Sequence, residues 1–201
     1  MAMRKLVVTT MLSLDGVMQA PGGPDEDPSD GFAFGGWTAP FVDDEGMEAK
    51  NAEVSVPLAL LLGRRTYEIF AGYWPTDREG AIGKPFNDAT KYVVSRTRPS
   101  LDWGPSVLIE DAAEGVAALK QEDGPELQVH GSGNLAQTLI RHGLVDEYHL
   151  WVFPVVLGQG KRLFADGSVP AALRLVDSQI SKTGVFMGTY EPAGEVVTGT
   201  F

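Results

Sequence analysis

The sequence contains no cysteine and only three histidines in 201 residues. Disulfide bonds, thiolate nucleophiles and cysteine-ligated metals are therefore excluded, and His130, His142 and His149 lack the spacing of metal ligands. We predict no metal site, and we interpret His130 and His149 as satisfied core or edge residues of strands. A chain without cysteine fits a reducing cytosol, so we expect a cytoplasmic protein.

Basic residues are also scarce, with 16 lysines and arginines against 27 acidic residues and a net charge of −11. Such a chain repels a polyanion such as DNA, or an acidic membrane surface, and no basic run offsets this. We expect no nucleic-acid partner and no membrane association.

Long apolar runs are missing, and no stretch approaches the ~20 apolar residues of a membrane span. The run at residues 6–10 is shorter than the roughly 7–15-residue core of a signal peptide, so we interpret it as a first core strand. A hydrophobic content of 43% supports one sizeable core. We find no repeat or boundary and expect a single domain over residues 1–201.

Strand-like runs alternate with helical patterns over most of the chain. We predict eight strands, at residues 5–11, 58–62, 91–95, 107–110, 127–130, 147–152, 173–179 and 185–190. We predict helices at residues 43–54, 66–70, 112–121 and 134–142. This order predicts an α/β fold: a mostly parallel sheet with helices on its faces and an antiparallel hairpin at the C-terminus. Residues 20–36, rich in Gly, Pro and Asp, form a candidate lid or binding loop, and residues 73–85 a second irregular stretch.

A glycine-rich turn, "VHGSGNL", leaves the strand at 127–130 and opens the next helix. Unpaired amides and the helix dipole suit such a turn to phosphate, and Ser132 or Asn134 could cap the helix or bind an anion. The alternative is that the glycines only permit a tight turn. Ala136 stands in place of the third glycine of a complete Gly-x-Gly-x-x-Gly motif.

Two further strand ends carry arginines. The junctions contribute Gly63, Arg64, Arg65 and Thr66 in one case, and Ser95, Arg96, Thr97 and Arg98 in the other. Consecutive arginines at a helix start oppose the helix dipole, and a nearby anion would remove the conflict. The alternative is that they meet acidic neighbours such as Glu68. Because ligands bind at the carboxyl ends of strands in open α/β sheets, the combined pattern favours a nucleotide with several phosphates. The alternative is a structural surface of scattered ion pairs.

Asp15, in "SLDG", is the carboxylate that follows the first strand. Asp-Gly is a strong turn pair, so we favour turn formation over proton transfer as the role of Asp15. Asp15 is still the one residue that we name as a catalytic candidate. The sequence has neither a Walker A pattern nor a Gly-x-Ser-x-Gly nucleophile elbow.

In order, the segments "SLDG", "LLGRRTYEIFAGYWP", "KYVVSRT", "VHGSGNL", "GLVDEYHLWVFPVVLGQGKRLF" and "TGVFMGTYEP" resemble the dihydrofolate reductase-like family. More closely, the chain resembles stand-alone relatives of the C-terminal reductase domain of bacterial bifunctional riboflavin-biosynthesis deaminase-reductases. The resemblance covers residues 4–192.

This resemblance implies a sheet of about eight strands and NADPH as hydride donor. It implies that residues 63–66 and 95–97 bind the adenosine side, including the 2′-phosphate, and that residues 131–135 hold the pyrophosphate. Residues 15–17 would lie near the nicotinamide and substrate, with residues 158–160 opposite. The cofactor-binding residues implied are Val17, Gly63, Arg64, Arg65, Thr66, Ser95, Arg96, Thr97, Gly131, Ser132, Gly133, Asn134, Leu135 and Gly160.

The chain also departs from its relatives. The helix at 43–54 offers Glu45, Glu48 and Glu53 where dihydrofolate reductases use one carboxylate for the pteridine ring, and the deaminase motifs are absent. The acidic loop at 20–36 disfavours an anionic ribityl-phosphate substrate. We predict an NADPH-dependent reductase that acts on a C=N or C=O bond of a small heterocycle. The alternative is a non-catalytic binder of a nucleotide or small ligand, and a homodimer through the C-terminal strands is plausible.

Overall fold

Eight strands form one continuous sheet in the computed structural model, which describes residues 3–200. They are β1 (Leu6–Ser13), β2 (Leu58–Gly63), β3 (Lys91–Val94), β4 (Ser106–Ile109), β5 (Glu126–His130), β6 (Glu147–Phe153), β7 (Leu173–Ile180) and β8 (Phe186–Pro192). Their order is β4-β3-β2-β5-β1-β6-β8-β7. Strands β1 to β6 pair in parallel, whereas β8 is antiparallel to both β6 and β7. The predicted sheet and C-terminal hairpin are confirmed.

In residues 3–200, five α-helices connect or flank the strands. They are α1 (Asp44–Ser55), α2 (Arg64–Tyr73), α3 (Gly83–Asp88), α4 (Ala112–Lys120) and α5 (Gly133–Arg141). Helix α2 is longer than predicted and begins directly after β2. Helix α3 starts inside the stretch predicted to be irregular. It has only six residues and no apolar periodicity, and the Asn87 amide fixes it by donating to the carbonyls of Gly83 and Trp74 at 2.9 and 2.8 Å.

The helices cover both faces of the sheet, as predicted. Apolar residues of α4 and α5, such as Val116 and Leu139, pack with Val8 and Val129 of the sheet. On the other face, Val54 of α1, Tyr67 of α2 and Phe86 of α3 pack on β2 and β3. Strand β2, "LALLLG", is buried on both faces, which explains its continuous apolar sequence. In residues 3–200, no helix is long and apolar enough to cross a membrane.

Candidate active site

The segments that the sequence singled out lie along one edge of the sheet. Because β1 to β6 are parallel, their carboxyl ends share this edge. From β3 to β6, the order in space is residues 95–97, 63–66, 131–135, 15–17 and 158–160. The structure therefore brings the predicted site residues into five neighbouring loops.

A hydrogen bond joins the turn between β5 and α5 to the junction of β2 and α2. Gly131 and Ser132 both adopt the left-handed backbone conformation, with φ of 59° and 57°. The Ser132 hydroxyl accepts a hydrogen bond of 3.0 Å from the Gly63 amide. Left-handed backbone is uncommon for serine, and this hydrogen bond helps to hold it there.

Two helices at this edge begin without a side-chain cap. Asp43 caps α1 and Asp111 caps α4, by accepting amide hydrogen bonds of 2.8 to 2.9 Å. Helices α2 and α5 have no such bond. The capping role considered for Ser132 and Asn134 is not observed, because the Ser132 hydroxyl binds Gly63 and Asn134 lies inside the helix. The first amides of α2 and α5 are thus open to an anion.

The loop after β3 presents an exposed arginine on a hydroxyl-stabilised turn. The Ser95 hydroxyl lies 3.1 Å from the Thr97 hydroxyl and accepts a hydrogen bond of 3.1 Å from the Thr97 amide. Among residues 3–200, no carboxylate lies within 4.0 Å of the Arg96 guanidinium, whereas Arg98 pairs with Glu110 at 3.4 Å. Arg96 is therefore available to a ligand.

The two arginines that open α2 have different partners. Arg64 Nη1 lies 2.9 Å from Glu68 Oε1, which is the acidic-neighbour alternative considered for this pair. Arg65 Nη2 lies 4.0 Å from Asp27 Oδ1 in the loop at 20–36. Both guanidiniums are exposed, and exposed ion pairs are weak, so a phosphate can compete for them.

Asp15 connects the loops after β1 and β6. Its carboxylate accepts hydrogen bonds from the Ser13 hydroxyl at 2.7 Å and from the amides of Leu157 and Gly158 at 3.0 and 2.8 Å. These bonds lower the pKa of Asp15 from 3.8 to about 2. Asp15 is then ionised at neutral pH and holds no proton to donate. The contacts fit the turn-forming role and do not support the catalytic one.

Val17 and Gly160 meet where these two loops join. Val17 forms an isolated antiparallel bridge with Arg162. Gly160 has φ of 121°, and a Cβ there would lie 2.6 Å from Val17 Cγ1 and 2.9 Å from the Phe32 ring. The close approach of the loops therefore requires glycine at this position.

The loop at residues 20–36, predicted as a lid or binding loop, packs against this junction. The Trp37 indole donates to the Gln19 carbonyl at 2.8 Å and closes the base of the loop. The Lys161 ammonium donates to the Asp27 carboxylate at 2.7 Å. A cavity of about 230 Å³ lies between the loop and the turn at 159–161. It is lined by Gln19, Asp30, Phe32, Gln159, Gly160 and Lys161.

A buried polar network under α1 was not predicted from the sequence. Glu53 of α1 accepts a hydrogen bond of 2.7 Å from the Thr9 hydroxyl and pairs with Lys50 at 2.6 Å. His149 Nε2 lies 2.6 Å from Glu147, and its Nδ1 lies 3.8 Å from Glu53. Burial opposes the charged form of His149, but bonding to the two carboxylates raises its pKa overall. The only sequence feature that could have indicated this network is the spacing of Glu147 and His149, which places both on the same face of β6.

His130 ends β5 directly before the glycine-rich turn. Its Nε2 lies 3.0 Å from the Gln128 side-chain oxygen, and the Phe70 and Phe86 rings pack beside it. Burial lowers the pKa of His130 well below 6.5. This environment fits a core histidine. Within the described part of the chain, no group of three His, Asp or Glu side chains suits a metal ion.

Residues 4–187 match the family described as RibD C-terminal domain. The chain belongs to the RibD C-terminal domain family. It is 33% identical over 135 residues to YyaP, an uncharacterized protein of Bacillus subtilis (strain 168), covering 65% of this chain and 72% of YyaP. It is 29% identical over 173 residues to YwjB, an uncharacterized protein of the same strain, covering 86% of this chain and 89% of YwjB.

Solved structures share the fold of this RibD C-terminal domain protein. A provisionally assigned riboflavin biosynthesis protein from Shewanella sp. PV-4 has a TM-score of 0.65 at 22% identity, over 94% of this chain and 98% of that one. Dihydrofolate reductase from Enterococcus faecalis, complexed with NADP(H) and RAB-propyl, has a TM-score of 0.60 at 14% identity, over 94% and 96%. The deaminase/reductase of Thermotoga maritima has a TM-score of 0.61 at 14% identity, over 95% of this chain and 57% of that one. The predicted dihydrofolate reductase-like fold is confirmed.

Proposed function

We propose that this protein is an NADPH-dependent reductase that transfers hydride to a C=N or C=O bond of a small heterocyclic substrate. The observation that carries the proposal is the pair of uncapped helices, α2 and α5, which start at neighbouring strand ends with Arg96 unpaired beside them. Membership of a reductase family supports it.

The residues at this edge fit a dinucleotide phosphate. The open amides of residues 133–135 suit the pyrophosphate, and Gly133 leaves room for it, since a Cβ there would meet only Met18 Sδ, at 3.4 Å. Arg96, on the turn stabilised by Ser95 and Thr97, suits the 2′-phosphate.

Bound NADPH would supply the hydride at its nicotinamide, so the chain needs no nucleophile. The protein contributes position and exclusion of water. The loops joined at Val17 and Gly160 form one wall, and Phe32 packs beside Gly160. Because Asp15 is ionised, we assign the proton to water and not to this side chain.

A second candidate function is nucleotide binding without turnover. The observation that favours it is that the carboxylate of Asp15, the candidate catalytic residue, is engaged with two loop amides. Incubating the protein with NADPH and a panel of pterins, pyrimidines, quinones and imines separates the two functions. Sustained cofactor oxidation with any of them excludes a pure binder.

We test cofactor use by calorimetric titration with NADPH and, separately, NADH. We expect binding that prefers NADPH, because NADH lacks the phosphate proposed to meet Arg96. Failure of both to bind would leave the glycine-rich turn as a structural feature and refute the proposal.

We also propose a homodimer that pairs through β7. This strand is last in the sheet, and Leu175, Val176 and Ile180 are 48%, 45% and 66% exposed. An open strand edge with apolar side chains favours pairing with a second copy. We expect light scattering to give twice the chain mass for the native protein and the monomer mass for Ile180→Lys. A native mass equal to one chain would contradict the dimer.

A further inference from the structure

We infer that the substrate taken by this site is a neutral or cationic small molecule that carries no phosphate group. This inference rests on the proposed function, since it concerns the space beside the nicotinamide. It is argued from the charges of the loops on that side of the cofactor site.

We define the substrate wall as residues 14–57, 154–162 and 181–185. These segments are the loops after β1 and β6, the loop at 20–36, helix α1 with its flanks, and the turn between β7 and β8. The loops and the turn follow β1, β6 and β7 in the sheet order. Helix α1 extends from this side, where Asp43 accepts a hydrogen bond from the Thr183 amide, to Val54 packed on β2. They contain ten carboxylates and four basic side chains, and residues 14–49 contain no lysine or arginine at all.

Each of the four basic side chains of the substrate wall already has a carboxylate partner. The pairs are Lys50–Glu53 at 2.6 Å, Lys161–Asp27 at 2.7 Å, Lys182–Glu45 at 2.9 Å and Arg162–Asp15 at 3.5 Å. Arg65, which opens α2 in one of the arginine-bearing segments, also lies 4.0 Å from Asp27 of the wall. Within residues 3–200, the substrate wall therefore offers a phosphate no uncommitted cation.

The cavity at the substrate wall also lacks an unpaired basic side chain among its described lining residues. Of its charged lining residues, Lys161 is neutralised by Asp27, whereas Asp30 is exposed and has no basic partner within 4.0 Å in the described chain. A phosphate in the cavity would face the Asp30 carboxylate and no unpaired basic side chain, and like charges at close range repel. A neutral or cationic molecule meets no such barrier.

The inference is tested by quenching the fluorescence of NADPH bound to the protein. The quenchers are acrylamide (neutral), iodide (anionic) and caesium (cationic), at constant ionic strength. Each quenching constant is divided by that of the same quencher for free NADPH, which removes the intrinsic differences between quenchers. Because a wall of one sign depletes ions of that sign, we expect this ratio to be about five-fold lower for iodide than for acrylamide, and at least as high for caesium as for acrylamide. An iodide ratio equal to that of acrylamide would overturn the inference while leaving cofactor binding intact. Failure of NADPH to bind would instead refute the proposed function, and this inference with it.

A matched pair of variants ties the effect to the wall. Asp27→Asn removes the partner of Lys161 and should raise iodide quenching about two-fold or more. Asp88→Asn, which removes an exposed carboxylate paired with Lys84 on α3, should leave it unchanged. Equal effects from the two variants would show that the whole protein's charge, and not the wall, repels iodide, and would overturn the inference.

A direct comparison of ligands gives a second readout. The NADP⁺-saturated protein is titrated with a phosphorylated aminopyrimidine riboside and with its phosphate-free parent. Tighter binding of the phosphate-free compound supports the inference, and tighter binding of the phosphate ester overturns it.

Discussion

The two halves of the candidate site carry opposite charge. Segments 63–66 and 95–98 contain four arginines and no acidic residue, whereas the substrate wall contains ten carboxylates and four paired basic side chains. The chain as a whole has a net charge of −11, so these four arginines form a locally basic region in an acidic protein. A negative net charge repels a polyanion at long range but does not exclude a phosphate ligand, because local charge decides where a phosphate can bind.

The largest expected effect comes from breaking the internal pairing of the acidic half. Glu53→Ala leaves Lys50 and His149 without a buried carboxylate between them. Removing one partner of a buried pair is costly, so we expect the free energy of unfolding to fall by about 3 kcal/mol in urea denaturation. Glu48→Ala, at an exposed position of the same helix, is the control. Equal losses in both variants would mean that the network adds nothing to stability.

The second test removes the free cation of the basic half. Arg96→Ala should weaken NADPH binding roughly 10- to 100-fold and NADH binding very little, because only NADPH carries the 2′-phosphate. Calorimetry measures both affinities. Arg98→Ala, which removes an arginine already paired with Glu110, should have a smaller effect. If Arg96→Ala weakened both cofactors equally, Arg96 would not contact the 2′-phosphate.

The third test concerns the turn between the two halves. Gly133 has an ordinary backbone conformation and space for a methyl group, so Gly133→Ala should fold normally. The added methyl would stand where the pyrophosphate approaches the helix, and we expect NADPH affinity to drop about ten-fold. Gly72→Ala, in an open position on α2, is the control and should bind NADPH normally. Unchanged affinity in Gly133→Ala would place the phosphates elsewhere.

The smallest expected effect is a pH dependence of stability in the acidic half. The folded-state pKa of His149 is raised, so its contribution is complete below the unfolded value of 6.5 and is lost as pH rises through the folded value. The difference in melting temperature between the native protein and His149→Gln should therefore be larger at pH 6 than at pH 9. His142→Gln, at an exposed position, is the control. A difference that grew with pH would contradict the assignment.

The fold was largely predictable because its signals are local. Strands such as "LVVTTMLS" and "LALLLG" have largely apolar sequences because they are buried on both faces of the sheet. The helix that starts at Gly133 is predicted by apolar residues at helical spacing directly after a glycine-rich turn. Helix α3 was missed because six residues beginning Gly-Lys-Pro carry no period, and its stability comes from the contacts of Asn87 with residues up to 13 positions away.

The grouping of the candidate-site loops at one edge was predictable from the sequence, but their side-chain contacts were not. Strand ends in a parallel sheet share an edge, so the loops containing Gly63, Arg96 and Ser132 could be grouped from the sequence. The partners of Asp15 and Glu53 could not, because Leu157 lies 142 residues from Asp15 and Thr9 lies 44 residues from Glu53. Pairing of this kind is set by the register of β1 against β6 and by the placing of α1, neither of which leaves a local pattern.

The contacts of Asp15 have a mechanical consequence. One carboxylate holds the Ser13 hydroxyl and two amides of the loop after β6, while Arg162 donates to the Asp15 carbonyl at 2.9 Å. The hydrogen bonds of Asp15 and Arg162 therefore hold the loop after β1 and the loop after β6 directly to each other. Any opening that separated these two loops would have to break the hydrogen bonds of Asp15, so we expect them to move as one unit.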